Sequence, residues 1–178
     1  LFMKKKVLLA VSGGIAAYKS ADLASQLVKS NFDVYVCMTV TAEKFITPLT
    51  FEAITGNSVH SPNNSKPSTY SHLYPATEVD IFIISPATAN ILAKVCYGHA
   101  DDPVSSSALS LKNNCRKIFC PAMNTQMWDQ HIVQTNINKL IDYGWEKIGP
   151  EFGRLACGTT GNGRLSDVNT IMSHINKT

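Results

Sequence analysis

The most constraining feature of this sequence is a repeated handover, in which a short apolar run stops at a small polar turn and a helical pattern begins. Lys5–Val11 runs into Ser12-Gly13-Gly14, after which Tyr18, Ala21, Leu23, Leu27 and Val28 recur at helical spacing within Ala16–Ser30. Asp33–Thr39 is β-rich and leads to Thr41, a hydroxyl residue placed before a predicted helix, so the first three segments form a βαβ unit. Pro48–Gly56 predicts a short helix that Thr50 can cap and Gly56 can close. Asp80–Ser85 is apolar on both faces, as a strand covered by helices on both sides must be, and Pro86–Asn90 turns into a helix ending at Gly98. Lys117–Cys120 reads as a strand, Asp129–Tyr143 as a helix and Trp145–Ile148 as the last strand. Asp167 is expected to cap a final helix with Val168, Ile171, Met172 and Ile175 on one face.

Strands alternating with helices predict an α/β fold with a parallel, doubly wound sheet and right-handed crossovers. With 44% hydrophobic and 16% charged residues, the chain can bury a sizeable core, which excludes disordered and collagen-like classes. At roughly 150 residues per domain, residues 1–178 are expected to form one domain. The basic residues are scattered apart from Lys4-Lys5-Lys6 and the net charge is only +3, so nucleic acid is not an expected partner. No apolar run approaches the ~20 residues that cross a bilayer, and the basic-then-apolar start reads as a buried strand rather than a signal peptide. Five cysteines, Cys37, Cys96, Cys115, Cys120 and Cys157, show neither a disulfide framework nor zinc spacing, which suits reduced thiols in a cytoplasmic protein. Four of them read as small apolar residues. No metal site is expected, since none of the histidines pairs in a zinc-binding arrangement.

In parallel sheets ligands bind at the carboxyl ends of strands, where this sequence concentrates its small and polar turns. Ser12–Ala17 can cradle an anion with helix-terminal N–H groups, or it can simply be a tight packing turn. It has neither the dinucleotide nor the P-loop glycine spacing, so NAD and ATP are not first choices. Ser85–Asn90 would let a planar ligand approach while Thr88 or Asn90 supplies hydrogen bonds; Thr88 can equally be a helix cap. Asn124, in the turn Pro121–Asn124, offers both a donor and an acceptor. His72 follows Ser61–Ser71, a polar stretch expected to be a mobile surface loop. The glycine-rich segment Gly153–Arg164 carries Cys157 in a turn; such a loop can lie over a pocket and its thiol can deliver a proton, or it is a surface loop with an incidental cysteine.

Together these segments resemble the homo-oligomeric flavin-containing cysteine decarboxylase family over nearly the whole chain. The pieces are Ala-Val-Ser-Gly-Gly-Ile-Ala-Ala-Tyr-Lys (10–19), Phe-Ile-Thr-Pro-Leu-Thr (45–50), Pro-Ala-Thr-Ala-Asn (86–90), Gly-His-Ala-Asp-Asp (98–102), Pro-Ala-Met-Asn-Thr-Gln-Met-Trp (121–128) and Leu-Ala-Cys-Gly (155–158). The resemblance implies a Rossmann-like, flavodoxin-like three-layer subunit, assembled as a homotrimer or a higher assembly of trimers, with non-covalent FMN. It assigns FMN contacts to Gly13, Gly14, Ile15, Thr39, Thr41, Thr88, Ala89, Asn90 and Ala122. Asn124, Met127, Ala156 and Cys157 are assigned to a small-molecule substrate.

The implied reaction is decarboxylation of 4'-phosphopantothenoylcysteine to 4'-phosphopantetheine in coenzyme A biosynthesis. FMN oxidises the carbon bearing sulfur to a thioaldehyde, carbon dioxide leaves to give an enethiolate, and protonation with return of the hydride completes a cycle of no net redox change. The family makes His72 the base, Asn124 the carboxylate ligand and Cys157 the proton donor. Enzymes acting on a peptide's C-terminal cysteine typically lack the Ala-Cys-Gly piece; its presence favours the coenzyme A branch over that alternative. A flavin prenyltransferase, which shares the fold, does not use these three residues together, and their joint presence argues against a non-catalytic FMN-binding regulatory subunit. The chain departs from the family pattern at Leu73-Tyr74-Pro75 and at Asp102, an extra carboxylate. Nothing after Ile175 resembles a synthetase start, so a free-standing decarboxylase is expected.

Overall fold

The structure, a computed structural model, describes residues 4–63 and 74–177. Five parallel strands, β1 (Lys6–Val11), β2 (Asp33–Met38), β3 (Ile81–Ala87), β4 (Arg116–Pro121) and β5 (Trp145–Lys147), form a sheet of order β2-β1-β3-β4-β5. This is the flavodoxin-like order, whose switch point lies between β1 and β3. The helices are α1 (Lys19–Lys29), α2 (Pro48–Thr55), α3 (Ala89–Tyr97), α4 (Pro103–Leu109), α5 (Thr125–Trp128), α6 (His131–Asp142) and α7 (Val168–Ile175).

Strand alternation divides the core in two. Val7, Leu9 and Val11 face Leu23, Ala24 and Leu27 of α1, Phe51 of α2 and Ile171, Met172 and Ile175 of α7. Leu8, Ala10, Phe82 and Ile84 face Ile91 and Leu92 of α3, Val104 of α4 and Ile137 and Leu140 of α6. Helices therefore cover both faces, and the central strands β1 and β3 are apolar on both sides for that reason. Truncating a fully buried residue such as Phe82 or Phe119 would cost about 3–5 kcal/mol.

Several local expectations are corrected. Thr47, in an extended conformation, is the N-cap of α2 with Pro48 in its first turn, so Thr50 is already helical; Gly56 closes the helix at φ 74° as expected. The helix expected after Thr41 is a single 3₁₀ turn, Ala42–Lys44. The helix expected from 129 to 143 is α6, His131–Asp142, and a separate short helix outside that expectation, α5, precedes it; extended Gln130 divides the two. Asp167 sits at the cap of α7, but its side chain makes no capping bond; it lies 3.6 Å from Lys19 Nζ and 3.7 Å from Arg164 Nη2 instead. The glycine-rich 153–164 segment is largely an antiparallel hairpin, β6 (Glu151–Arg154) and β7 (Thr160–Arg164). Most of the loop expected over Ser61–Ser71 lies outside the described residues.

Candidate active site

The β1 and β3 ends are stapled together by buried hydroxyls. A register shift between Ile84 and Ala87 interrupts the β3–β4 ladder, leaving the Ser85 and Pro86 carbonyls to be satisfied from elsewhere. Ser20 Oγ donates to Ser85 O at 2.6 Å, and Ser12 Oγ donates to Pro86 O at 2.7 Å while accepting from Thr88 N at 3.1 Å. Ser12 and Ser20, each almost fully buried, thus fix the two turns at the switch point. The sequence places Ser12 in the turn after a buried strand but does not show this bond, and it gives no sign of Ser20, which lies within α1.

A cavity of about 1270 Å³ opens at this point. Gly13, Gly14 and Ile15 line it at the entrance to α1, preceded by the 3₁₀ turn Ile15–Tyr18, where the first N–H groups have no intrahelical partner. Thr39 and Thr41 line it after β2, Thr88, Ala89 and Asn90 at the start of α3, and Ala122 after β4. Thr39 Oγ1 accepts from Ala42 N at 3.2 Å and Thr88 Oγ1 from Ile91 N at 3.3 Å, so Thr88 is a helix cap as well as a wall of the cavity. Gly13 is required by close approach: a Cβ there would lie 2.8 Å from the Thr41 carbonyl carbon and closer still to its side chain. Gly14 is freer, its nearest contact being Thr88 Cγ2 at 3.7 Å.

Asn124, Met127, Ala156 and Cys157 line the same cavity from the opposite side. Asn124 caps α5, with Oδ1 accepting from Met127 N at 2.8 Å. That bond fixes the amide orientation and leaves Nδ2, which has no partner among the described residues, available as a donor. The hairpin docks on this turn by backbone contact. Met123 N donates to Gly163 O at 3.0 Å and Thr125 Oγ1 to Asn162 O at 2.8 Å. Side chains at Gly161 or Gly163 would run into Thr125 Oγ1 and the Met123 carbonyl respectively, which is what the glycines of this segment are for.

The five thiols divide sharply. Burial pushes Cys37 and Cys120 up to about 12 and Cys115 up to about 11, and raises Cys96. Cys157 is exposed in the hairpin turn, and the Thr159 hydroxyl, 3.1 Å from its Sγ, lowers its pKa below the usual thiol value. Thr159, overlooked in the sequence, is its immediate partner.

Asp102 also lines the cavity, yet its carboxylate is consumed. It caps α4 by accepting from Val104 N and Ser105 N, both at 2.9 Å, and its other oxygen lies 2.8 Å from Lys94 Nζ. The extra carboxylate is thereby committed to the α4 cap and to Lys94, which it shares with Asp101. His72 lies outside the described residues. All the other residues singled out in the sequence for cofactor or substrate meet in this one cavity. Among the described residues, no cluster of His, Cys, Asp and Glu could hold a metal ion.

Comparison with known proteins agrees with this architecture. The chain matches the flavoprotein family over residues 2–178. It belongs to that family. Among its relatives is a probable phosphopantothenoylcysteine decarboxylase of Streptococcus mutans, 45% identical over 175 residues that cover 97% of this chain and 98% of the relative. A coenzyme A biosynthesis bifunctional protein of Bacillus subtilis is 40% identical over 170 residues, 94% of this chain and 41% of that protein. Against that bifunctional relative the chain spans about two fifths of the length. Of solved structures, a PPC decarboxylase cysteine-to-serine mutant complexed with pantothenoylaminoethenethiol superposes with a TM-score of 0.88 at 26% identity, covering 97% of both chains. The FMN-dependent cysteine decarboxylase SpaF superposes with a TM-score of 0.80 at 27% identity, over 96% of this chain and 94% of that one. The flavoprotein family thus accounts for the switch-point cavity.

The donors and walls of the cavity suit a flavin. Gly13–Ile15 and the start of α3, whose helix-initial N–H groups suit an anion, line it together with Thr39, Thr41 and Thr88, while Ile15, Val40, Ala89 and Ala122 offer apolar surface for a planar ring. The narrow approach at Gly13 to Thr41 leaves the cradle open only because no Cβ fills it.

Proposed function

We propose that this protein catalyses the FMN-dependent decarboxylation of 4'-phosphopantothenoylcysteine to 4'-phosphopantetheine. The observation that carries the reading is the convergence on one cavity of an amide donor fixed at Asn124, an exposed thiol of lowered pKa at Cys157 and the Gly13–Ile15 cradle. The name of the Streptococcus mutans relative supports the substrate, and that of SpaF supports FMN over other flavins.

Gly13, Gly14, Ile15, Thr39, Thr41, Thr88, Ala89, Asn90 and Ala122 hold the cofactor, with its phosphate at the helix-initial N–H groups. When bound, FMN supplies an oxidant for the cysteine moiety and afterwards a reductant for the decarboxylated product, the electron sink that an unactivated carboxylate lacks. The Asn124 amide donates to the substrate carboxylate and positions it, with Met127 and Ala156 beside it. Cys157 gives its proton to the decarboxylated intermediate, and the Thr159 hydroxyl stabilises the thiolate left behind. The role of base falls to His72 on the family resemblance.

The rim of the cavity carries exposed Ile15 (58%), Tyr18 (59%) and Val40 (50%). That apolar surface next to a ligand site supports self-association of the subunit; the family resemblance makes the assembly a trimer, with residues 1–178 forming one domain in each copy. Among the described residues no helix is long and apolar enough to cross a membrane, in keeping with a cytoplasmic enzyme.

The test is an absorbance spectrum of the purified protein, followed by incubation with phosphopantothenoylcysteine and, separately, a cysteine-ended peptide. Flavin absorbance and saturated phosphopantetheine are expected. A protein unable to take up FMN, or one that converts only the peptide, would overturn the reading.

A further inference from the structure

If the cavity takes FMN and a phosphorylated substrate, it must receive two phosphates. The Ser12–Ile15 turn accounts for one. Four cationic side chains line the cavity, Lys19, Lys94, Arg154 and Arg164, and three are already engaged. Lys94 Nζ lies 2.8 Å from both Asp101 Oδ1 and Asp102 Oδ2. Arg164 Nη2 donates to Glu151 Oε2 at 2.7 Å, and its stem runs beneath Gly153, where even a Cβ would be only 3.2 Å from Cδ and Nε. Lys19 Nζ lies 3.6 Å from Asp167 Oδ1.

Arg154 differs. It is the one cation of the lining that has no carboxylate partner among the described residues, and it is exposed at the end of β6, immediately before the turn that carries Ala156 and Cys157. The two acidic residues of the lining, Asp101 and Asp102, share the single cation Lys94 and keep one net negative charge between them, and neither forms an ion pair with Arg154.

We propose that Arg154 is the subsite for the phosphate end of the substrate, an inference that rests on the decarboxylase reading above. A guanidinium presents a planar fork of donors that matches phosphate oxygens in pairs, which a lysine cannot reproduce. Because Arg154 and Cys157 share one hairpin, holding the phosphate also fixes the turn that presents the thiol. Phosphate binding is then spent partly on orienting the reacting end of the substrate.

The experiment compares kcat/KM for phosphopantothenoylcysteine and for unphosphorylated pantothenoylcysteine on the flavin-loaded protein and its Arg154→Gln, Arg154→Lys and Lys19→Met variants. Flavin absorbance and melting temperature report that each variant is folded. The wild type should prefer the phosphorylated compound. Arg154→Gln should lower kcat/KM for that compound by about ten- to a hundredfold, the loss expected of a hydrogen bond between charged groups, so that the ratio of the two values falls. Arg154→Lys should recover part of the ratio. An unchanged ratio in Arg154→Gln, or a ratio that falls in Lys19→Met instead, overturns the subsite. A wild type that converts both compounds equally overturns the subsite and leaves the decarboxylase reading standing; one that converts neither overturns both.

Discussion

Asn124→Asp separates the chemistry of Asn124 from its structural work. Oδ1 caps α5 by accepting from Met127 N at 2.8 Å, and aspartate caps a helix as well as asparagine does, so the turn should survive with stability changed by less than about 0.5 kcal/mol. The other end of the side chain changes completely, because an NH₂ that donates becomes an oxygen that carries charge. Two carboxylates about 4 Å apart repel by about 1 kcal/mol in bulk water and about 4 kcal/mol at an effective dielectric of about 20. Asn124 is exposed in the free cavity, so the repulsion falls between these limits as bound substrate displaces water. The lost charge-assisted hydrogen bond adds about 1.5–3 kcal/mol. At about 1.4 kcal/mol per decade, kcat/KM should fall by about a hundredfold or more, while flavin absorbance and melting temperature stay near wild type. Asn124→Ala should lose activity and also about 1 kcal/mol of stability, since it removes the cap as well. A fully active Asn124→Asp enzyme would refute the assignment of Asn124 to the substrate carboxylate.

Four further perturbations probe other parts of the molecule. Gly13→Ala places a Cβ against Thr41, and overpacking of this kind costs about 1–3 kcal/mol; flavin affinity measured by fluorescence titration should drop about tenfold or more, whereas Gly14→Ala, with its nearest contact at 3.7 Å, should leave the fold undisturbed. Cys157→Ser should still release carbon dioxide but accumulate the enethiol, and normal saturated product would count against its role as proton donor. Thr159→Val removes the hydroxyl that chiefly lowers the Cys157 pKa, so the pH midpoint of thiol alkylation should move upward; an unmoved midpoint contradicts the hydrogen bond. Glu146 is held below the usual carboxylate range chiefly by Arg116, which bonds it at 2.6 and 2.8 Å, with His174 Nε2 at 2.7 Å from the same carboxylate. A depressed carboxylate stabilises the fold above its unfolded pKa of about 4.3 and loses that contribution as pH falls through the folded value. Since its side chain is 36% exposed, the pair is worth about 1 kcal/mol or less. Glu146→Gln should therefore melt lower at neutral pH and show a shallower decline on acidification, as read by circular dichroism.

The parts of this fold legible in the sequence are those in which local pattern and tertiary burial agree. Strands β1 to β4 sit within a residue or two of the apolar runs that predict them, because each must be apolar on both faces. Helix α4, Pro103–Leu109, has no amphipathic stripe to find: Val104 is fully buried, but so are Ser105 and Ser107 or nearly so. Its start is specified by Asp102, which a sequence comparison shows only as an extra charge. The 129–143 pattern is α6, and what it does not show is the short helix before it, which Asn124 opens and Asp129 closes. The site residues were legible where turns follow strands, because a doubly wound sheet must gather those turns at one edge. The hydrogen bonds of Ser12, Ser20 and Thr159 were not, because a serine or threonine bonding a distant carbonyl or a neighbouring thiol leaves no periodic trace.

Nor does sequence pattern show how the hairpin carrying Cys157 is held. Its strands alternate in exposure but not in apolar side chains, and the buried positions of β7 are Gly161 and Gly163, residues with no side chain to bury. What fixes the hairpin is backbone contact at Met123 and Thr125 together with charge: Glu151 accepts from Arg164 at 2.7 Å and from Asp167 N at 3.1 Å, tying β6, β7 and the start of α7 into one unit. Beyond that clamp, the Leu155–Thr159 turn is held by its own bonds, Leu155 N to Thr159 O at 2.8 Å and Gly158 N to Leu155 O at 2.9 Å. An exposed turn with so few buried contacts belongs to the low-stability end of a structure. Rigidity at the Asn124 side and freedom at the Cys157 side match the order of the proposed reaction: the carboxylate must be positioned before it leaves, whereas the proton is delivered only afterwards.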